Sequence, residues 1–172
     1  VKKKYSFKRP KRSIDRVFIH CSASSNPLHD DVDVVRGWHK KLGWKDIGYH
    51  FYITSVGELQ IGRKLELSPA AQKGNNVGTI AICLSGLKVD DFTERQFNTL
   101  RELCEDINEQ IPDVTFHGHN EVSVKDCPVF DYKTVLSLDK FGAIQSDLEV
   151  DDLETRIGEL EVRVSKLELA ND

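Results

Sequence analysis

The stretch RVFIHCSAS, Arg16 to Ser24, runs from three apolar residues, Val17 to Ile19, straight into polar and small ones. A run this short, closed by Ser and Ala, suits a buried β-strand whose C-terminal end opens into a loop. His20 then stands at the strand end, where sites commonly lie. Downstream, the pair Asp30/Asp31 precedes Val34, Val35, Trp38 and Leu42 at helical spacing, with Gly43 as a stop and Arg36, Lys40 and Lys41 outside. YHFYIT and LQIGR flank the turn SVGE, which predicts a β-hairpin over residues 49–63. TIAICLSG is apolar on both faces, so it reads as a central strand. Thr93 and Gln96 form a capping-box pattern ahead of a helix whose packing face carries Phe97, Leu100, Leu103, Cys104 and Ile107. VTFHGH is a further strand delivering His117 and His119 at its exit, and a short helix begins at Asp131. This order predicts an α/β fold, a central mixed β-sheet flanked by helices.

The ends of the 172-residue chain obey other rules. Residues 1–16 carry eight Lys/Arg against one Asp, whereas residues 147–172 carry nine Asp/Glu against three Lys/Arg, although the net charge is only -4. Residues 1–13 form a basic arm and residues 14–140 one domain of ordinary size. A linker over 141–149 leads to a heptad helix over 150–170. In that helix Val150, Ile157 and Val164 take the a positions, and Leu153, Leu160 and Leu167 the d positions. β-Branched a with leucine d favours a parallel two-stranded coiled coil, so a homodimer through residues 150–170 is expected. Arg156 and Arg163 at g face Glu161 and Glu168 at e', while Glu149 and Glu154 would repel. Gly158 on the outer face costs about 1 kcal/mol. A helix folded back on the domain is the alternative.

No segment approaches the ~18 apolar residues of a membrane span, and the basic start lacks the apolar run of a secretory signal. Stable membrane insertion is not expected, and synthesis in the cytosol is. The four cysteines lie one per segment with no CxxC pairing, unlike a disulfide framework.

HNEVSVKDCP, His119 to Pro128, crowds a histidine, a lysine and a cysteine into a loop. Catalytic zinc takes three protein ligands and leaves a fourth position to water. His20, His119 and Cys127 would supply such a set. Six histidines and four cysteines make such groupings easy by chance, and the eight-residue separation of His119 and Cys127 fits no helical zinc motif. On spacing alone a structural role for each stays open.

Six segments, in order, carry a family likeness: FIHCSAS, GWHKKLGWKDIGYHFYI, GRKLE, KGNNVGTIAICLSG, FTERQFNTLRELC and HGHNEVSVKDCPVFD. Over roughly residues 14–138 the chain resembles the zinc-dependent N-acetylmuramoyl-L-alanine amidases, which include phage lysozymes of the amidase type and peptidoglycan recognition proteins. The resemblance implies zinc ligands His20, His119 and Cys127, with Tyr49 and Lys125 as the catalytic tyrosine and lysine. His117 is expected to point away, as the weaker ligand candidate, and His50 to be a buried structural histidine. In this reading zinc activates water and polarises the amide, Lys125 stabilises the oxyanion, and Tyr49 hydrogen-bonds the water or the amide. One departure stands out: Ala71, in PAAQKGNN, occupies the place of a histidine in the family pattern HAxGxN, which removes a substrate contact and no zinc ligand.

The resemblance implies an endolysin that cleaves between N-acetylmuramic acid and L-alanine of peptidoglycan, made in the host cytoplasm and acting on the wall after release. The alternative it carries is a peptidoglycan-binding module without hydrolysis. The retained Cys127 argues for hydrolysis, because relatives that lose the zinc cysteine lose the reaction. Phage relatives also bind a phage RNA polymerase, for which the basic arm is the place to look.

Overall fold

A computed structural model of the chain describes residue 5, residues 8–145, residues 156–158 and residue 160. Its elements are β1 (Arg16–Cys21), α1 (Val32–Lys41), β2 (Phe51–Ile53), β3 (Leu59–Ile61), β4 (Thr79–Leu84), α2 (Glu94–Gln110), β5 (Thr115–Gly118) and α3 (Tyr132–Val135), with short 3-10 turns between them. The sheet order is β3-β2-β4-β1-β5. β1 pairs in parallel with β4 and β5, and β2 in parallel with β4; only the hairpin partner β3 runs antiparallel. The sheet is therefore mixed, and β4, buried at all six positions, lies at its centre.

Strand alternation divides the core in two. Val17 and Ile19, Phe51 and Ile53, and Ile80, Ile82 and Leu84 face α2, where they pack with Leu100, Leu103, Cys104 and Ile107. Tyr52 and Cys83 face the other way and pack with Val32 and Val35 of α1 and with Ile47. Helices thus cover both faces, as a largely parallel sheet requires.

The helix ends are set by side chains. The Asp31 carboxylate accepts from the Asp33 and Val34 N–H groups at the start of α1. Thr93 and Gln96 cap α2 reciprocally, and the Asp131 carboxylate accepts from Thr134 N–H at α3. Leu42, expected on the apolar stripe of the first helix, is instead 70% exposed. The helix ends at Lys41 and Leu42 is its C-cap, so its side chain leaves the stripe before Gly43 turns the chain at φ 84°.

Arg12, the last cation of the basic arm, reaches into the fold, donating to the Leu65 and Thr79 carbonyls. Of the expected linker and heptad helix, only 141–145, 156–158 and 160 lie among the described residues; the remainder of that expectation falls outside them. Residues 156–158 and 160 are helical, and Ile157 and Leu160 are each 55% exposed. No helix among the described residues is long and apolar enough to cross a membrane.

Candidate metal centre

The site grows from one transverse row of the sheet. The register sets His20 opposite Cys83 and Cys83 opposite Tyr52, while Phe18 faces His117 and Ile19 faces Gly118 on β5. One step beyond that pairing, β5 ends and His119 opens a 3-10 turn beside His20. The two imidazole rings lie 4.6 Å apart. The loop after the turn returns Cys127 to the same place, anchored by Asn120 N–H donating to the Cys127 carbonyl at 2.6 Å.

The donor atoms of His20, His119 and Cys127 all lie within 4.8 Å of one another. Cys127 Sγ is 3.9 Å from His20 Nδ1. Tetrahedral zinc with bonds of ~2.0 Å to nitrogen and ~2.3 Å to sulfur sets such a pair roughly 3.6 Å apart, so the donor set fits that ion with little movement. His20 Nδ1 is the nitrogen facing the cluster, because Nε2 lies 3.1 Å from the Gln72 amide oxygen.

Electrostatics favour the metal-ready form of both histidines. Burial, reinforced by the neighbouring His119, lowers the His20 pKa to about 3, and burial together with the Lys125 charge lowers that of His119. Both rings are then neutral near pH 7 with lone pairs available. Cys127 Sγ accepts from the Cys21 N–H at 3.3 Å and lies 3.8 Å from Cys21 Sγ. Hydrogen bonding between the sulfurs lowers the Cys21 pKa to about 6, and the same contact together with burial pushes that of Cys127 up. One thiolate, and not two, is the natural state of this pair.

Tyr49 is half-buried, its ring 5.2 Å from that of His20. Burial pushes its pKa well above the usual phenol value, and the cysteine sulfurs, Cys83 first, add to the effect; the hydroxyl keeps its proton. Gly48 before it admits no side chain, since a Cβ there would stand 2.3 Å from the Ala70 carbonyl oxygen. Lys125 is exposed in the loop, near enough for its charge to act on His119. His50 is fully buried, accepting from Ala81 N–H at Nδ1 and facing the Leu67 carbonyl through Nε2.

His117 needs a correction. Two residues before His119, it shares the strand face of His20 and does not point the opposite way. It stays out of the cluster because it sits one pleat back, opposite Phe18, with its ring nitrogens 2.8 Å from Thr115 Oγ1 and 2.7 Å from Glu121 Oε2. Gln72 was not singled out from the sequence; the only signal was its neighbour Ala71 breaking the family pattern. Past the ends of β1, β2 and β4, a cavity of ≈150 Å³ is lined by Ser24, Asp30, Ser55, Ser85 and Asp91, and by none of the cluster residues.

Comparisons with known proteins identify the family and the fold. The family described as N-acetylmuramoyl-L-alanine amidase matches residues 10–130. The endolysin of Escherichia phage T7 is 36% identical over 132 residues, covering 73% of this chain and 87% of the relative. The endolysin of Klebsiella phage KP32 is 33% identical over 130 residues, covering 72% and 85%. Among solved structures, the amidase LysC from Clostridium intestinale URNW aligns with a TM-score of 0.66 at 22% identity, over 78% of this chain and 92% of that one. The complex of peptidoglycan recognition proteins LCa and LCx with tracheal cytotoxin aligns at 0.61 and 26% identity, over 73% and 81%. With the family match spanning most of the chain and the fold shared with its solved members, this protein belongs to the N-acetylmuramoyl-L-alanine amidase family.

Proposed function

We propose that the protein is a zinc-dependent endolysin hydrolysing the amide bond between N-acetylmuramic acid and L-alanine of bacterial peptidoglycan. It is made in the host cytoplasm and acts on the wall after release. The observation that carries the reading is the convergence of His20, His119 and Cys127 within 4.8 Å at one end of the sheet, in a chain whose relatives are endolysins.

These three residues would hold the metal. Zinc bound there supplies Lewis acidity to the amide carbonyl and brings the pKa of a water toward ~7. Two neutral imidazoles and a single thiolate leave the centre a net positive charge. Lys125 offers a cation to the oxyanion that develops on the substrate carbonyl. Tyr49, which keeps its proton, donates a hydrogen bond to the attacking water or the reacting amide and orients it. We further propose that the heptad pattern of residues 150–170, most of it outside the described residues, joins two copies in parallel.

The test is lysis of outer-membrane-permeabilised cells, followed by turbidity and by the release of new alanine N-termini. Cys127→Ser and chelator-treated protein fall to background, and zinc restores the chelated wild type. Unchanged lysis in both would sink the zinc mechanism. Binding to the wall without release of alanine N-termini from the wild type would make the chain a recognition module.

A further inference from the structure

We propose that Gln72 is a positioning residue of the metal centre, its amide oxygen holding His20 Nε2–H and so committing His20 Nδ1 to the metal. This rests on the zinc reading given above.

The argument starts at a hydroxyl with one proton. Thr79 Oγ1 donates to the Asn76 carbonyl at 2.9 Å, so toward Gln72 it can only accept. Gln72 Nε2 lies 2.7 Å from it and donates. The amide nitrogen is thereby turned to Thr79 and the amide oxygen to His20. Oε1 is an acceptor alone, so the His20 nitrogen 3.1 Å away must carry the proton. A neutral imidazole protonated at Nε2 has its lone pair at Nδ1, the atom that faces Cys127. The tautomer of a proposed ligand is thus dictated by a backbone carbonyl three hydrogen bonds away.

The relay is built into the loop. Gln72 and Thr79 are fully buried, and Asn76 Oδ1 accepts from both Ala71 N–H and Gln72 N–H at 3.1 Å, which closes the loop around the glutamine. At that depth the Gln72 side chain exposes no surface to solvent. An outer hydrogen-bond acceptor of this kind orients a ligating imidazole, and its loss typically lowers metal affinity 10- to 100-fold. Where the family pattern has a histidine, this chain has Ala71, and the side chain that enters the site from this loop is that of the next residue.

The experiment uses the full chain: wild type, Gln72→Met, Gln72→Glu and Thr79→Val. Zinc affinity is read by competition with a chromophoric chelator, the His20 tautomer by ¹⁵N imidazole shifts of the metal-free protein, and folding by thermal unfolding. Wild type shows a single Nε2–H tautomer. Gln72→Met, close in size but without the acceptor, binds zinc roughly 10- to 100-fold more weakly and shows both tautomers; Gln72→Glu, which keeps an acceptor, recovers most of the affinity. Thr79→Val leaves Gln72 in place and frees its amide to flip, giving an intermediate loss, and it carries the test should Gln72→Met not fold. A folded Gln72→Met or Thr79→Val with wild-type affinity and a single tautomer overturns the proposal alone. Wild type that binds no zinc overturns the zinc reading and the proposal together.

Discussion

At the residue scale, the two most buried histidines of the molecule do opposite work. His20 turns its free nitrogen toward other donors, whereas both nitrogens of His50 are spent on the fold, on Ala81 N–H and the Leu67 carbonyl. Burial lowers the His50 pKa to about 4, and Arg12 and Arg63 nearby oppose a second charge. The unfolded chain takes up that proton near pH 6.5 and the folded protein only near 4, so between those values the unfolded state binds more protons and acid weakens the fold. The loss from this residue is on the order of 3 kcal/mol across the window. His50→Gln, which keeps one acceptor and one donor, should therefore lose less stability than wild type on going from pH 6.5 to 4, measured by urea unfolding; an equal loss in both proteins refutes the assignment. Residues of this kind differ in how well a sequence discloses them. His20 is legible because an apolar run ends at it, and Cys127 because a thiol beside His119 invites a metal. Gln72 is not, since a loop glutamine has no period, and its role exists only after Thr79 and Asn76 have fixed its amide.

At the element scale, local rules succeed where one segment contains its own signal. The hairpin of β2 and β3 and the caps of α1, α2 and α3 fall where turn and capping residues lie. Gln96 shows what such signals omit: besides closing the capping box, its buried side chain donates to the Ser85 carbonyl at 2.8 Å, fastening the start of α2 to the end of β4. Thr93 Oγ1 likewise reaches the Ser55 carbonyl at 2.8 Å. Thr93→Ala thus removes a cap and a tether, and should lower stability by about 1–2 kcal/mol, read as an earlier urea midpoint with unchanged slope. Lysis below the transition should stay at the wild-type rate, because α2 packs on the sheet face opposite His20. A loss of lysis in folded Thr93→Ala would show that the helix start acts on the site. The sequence also misses the hydrogen bond from Phe116 N–H to the Gly142 carbonyl, which brings the segment after α3 beside β5, and the bridge between Leu138 and Ile144 within that segment. Phe116 and Gly142 are too distant in sequence for any periodicity to record.

At the scale of the whole molecule, the strand order β3-β2-β4-β1-β5 is the part least written in local pattern: β1 lies between β4 and β5, and alternation says which face a residue takes but not which strand lies beside it. The tail raises the opposite case, a heptad pattern legible in sequence that falls mostly outside the described residues. Ile157 at an a position and Leu160 at a d position are each 55% exposed, whereas burying such a side chain is worth roughly 1.5–3 kcal/mol. The three-heptad helix expected from the sequence would be marginal alone, and the proposed second copy would supply that burial. In the proposed parallel dimer the sequence would set Arg156 and Arg163 at g against Glu161 and Glu168 at e', and Glu149 against Glu154. The full chain should therefore sediment as a dimer at micromolar concentration and dissociate on dilution. Ile157→Lys with Leu160→Lys should return it to a monomer, while lysis per protomer stays the same because each domain carries its own His20, His119 and Cys127. A full chain that sediments as a monomer throughout refutes the dimer, and a lysis rate that falls with the double substitution would show that pairing of the tails serves catalysis on the wall as well as assembly.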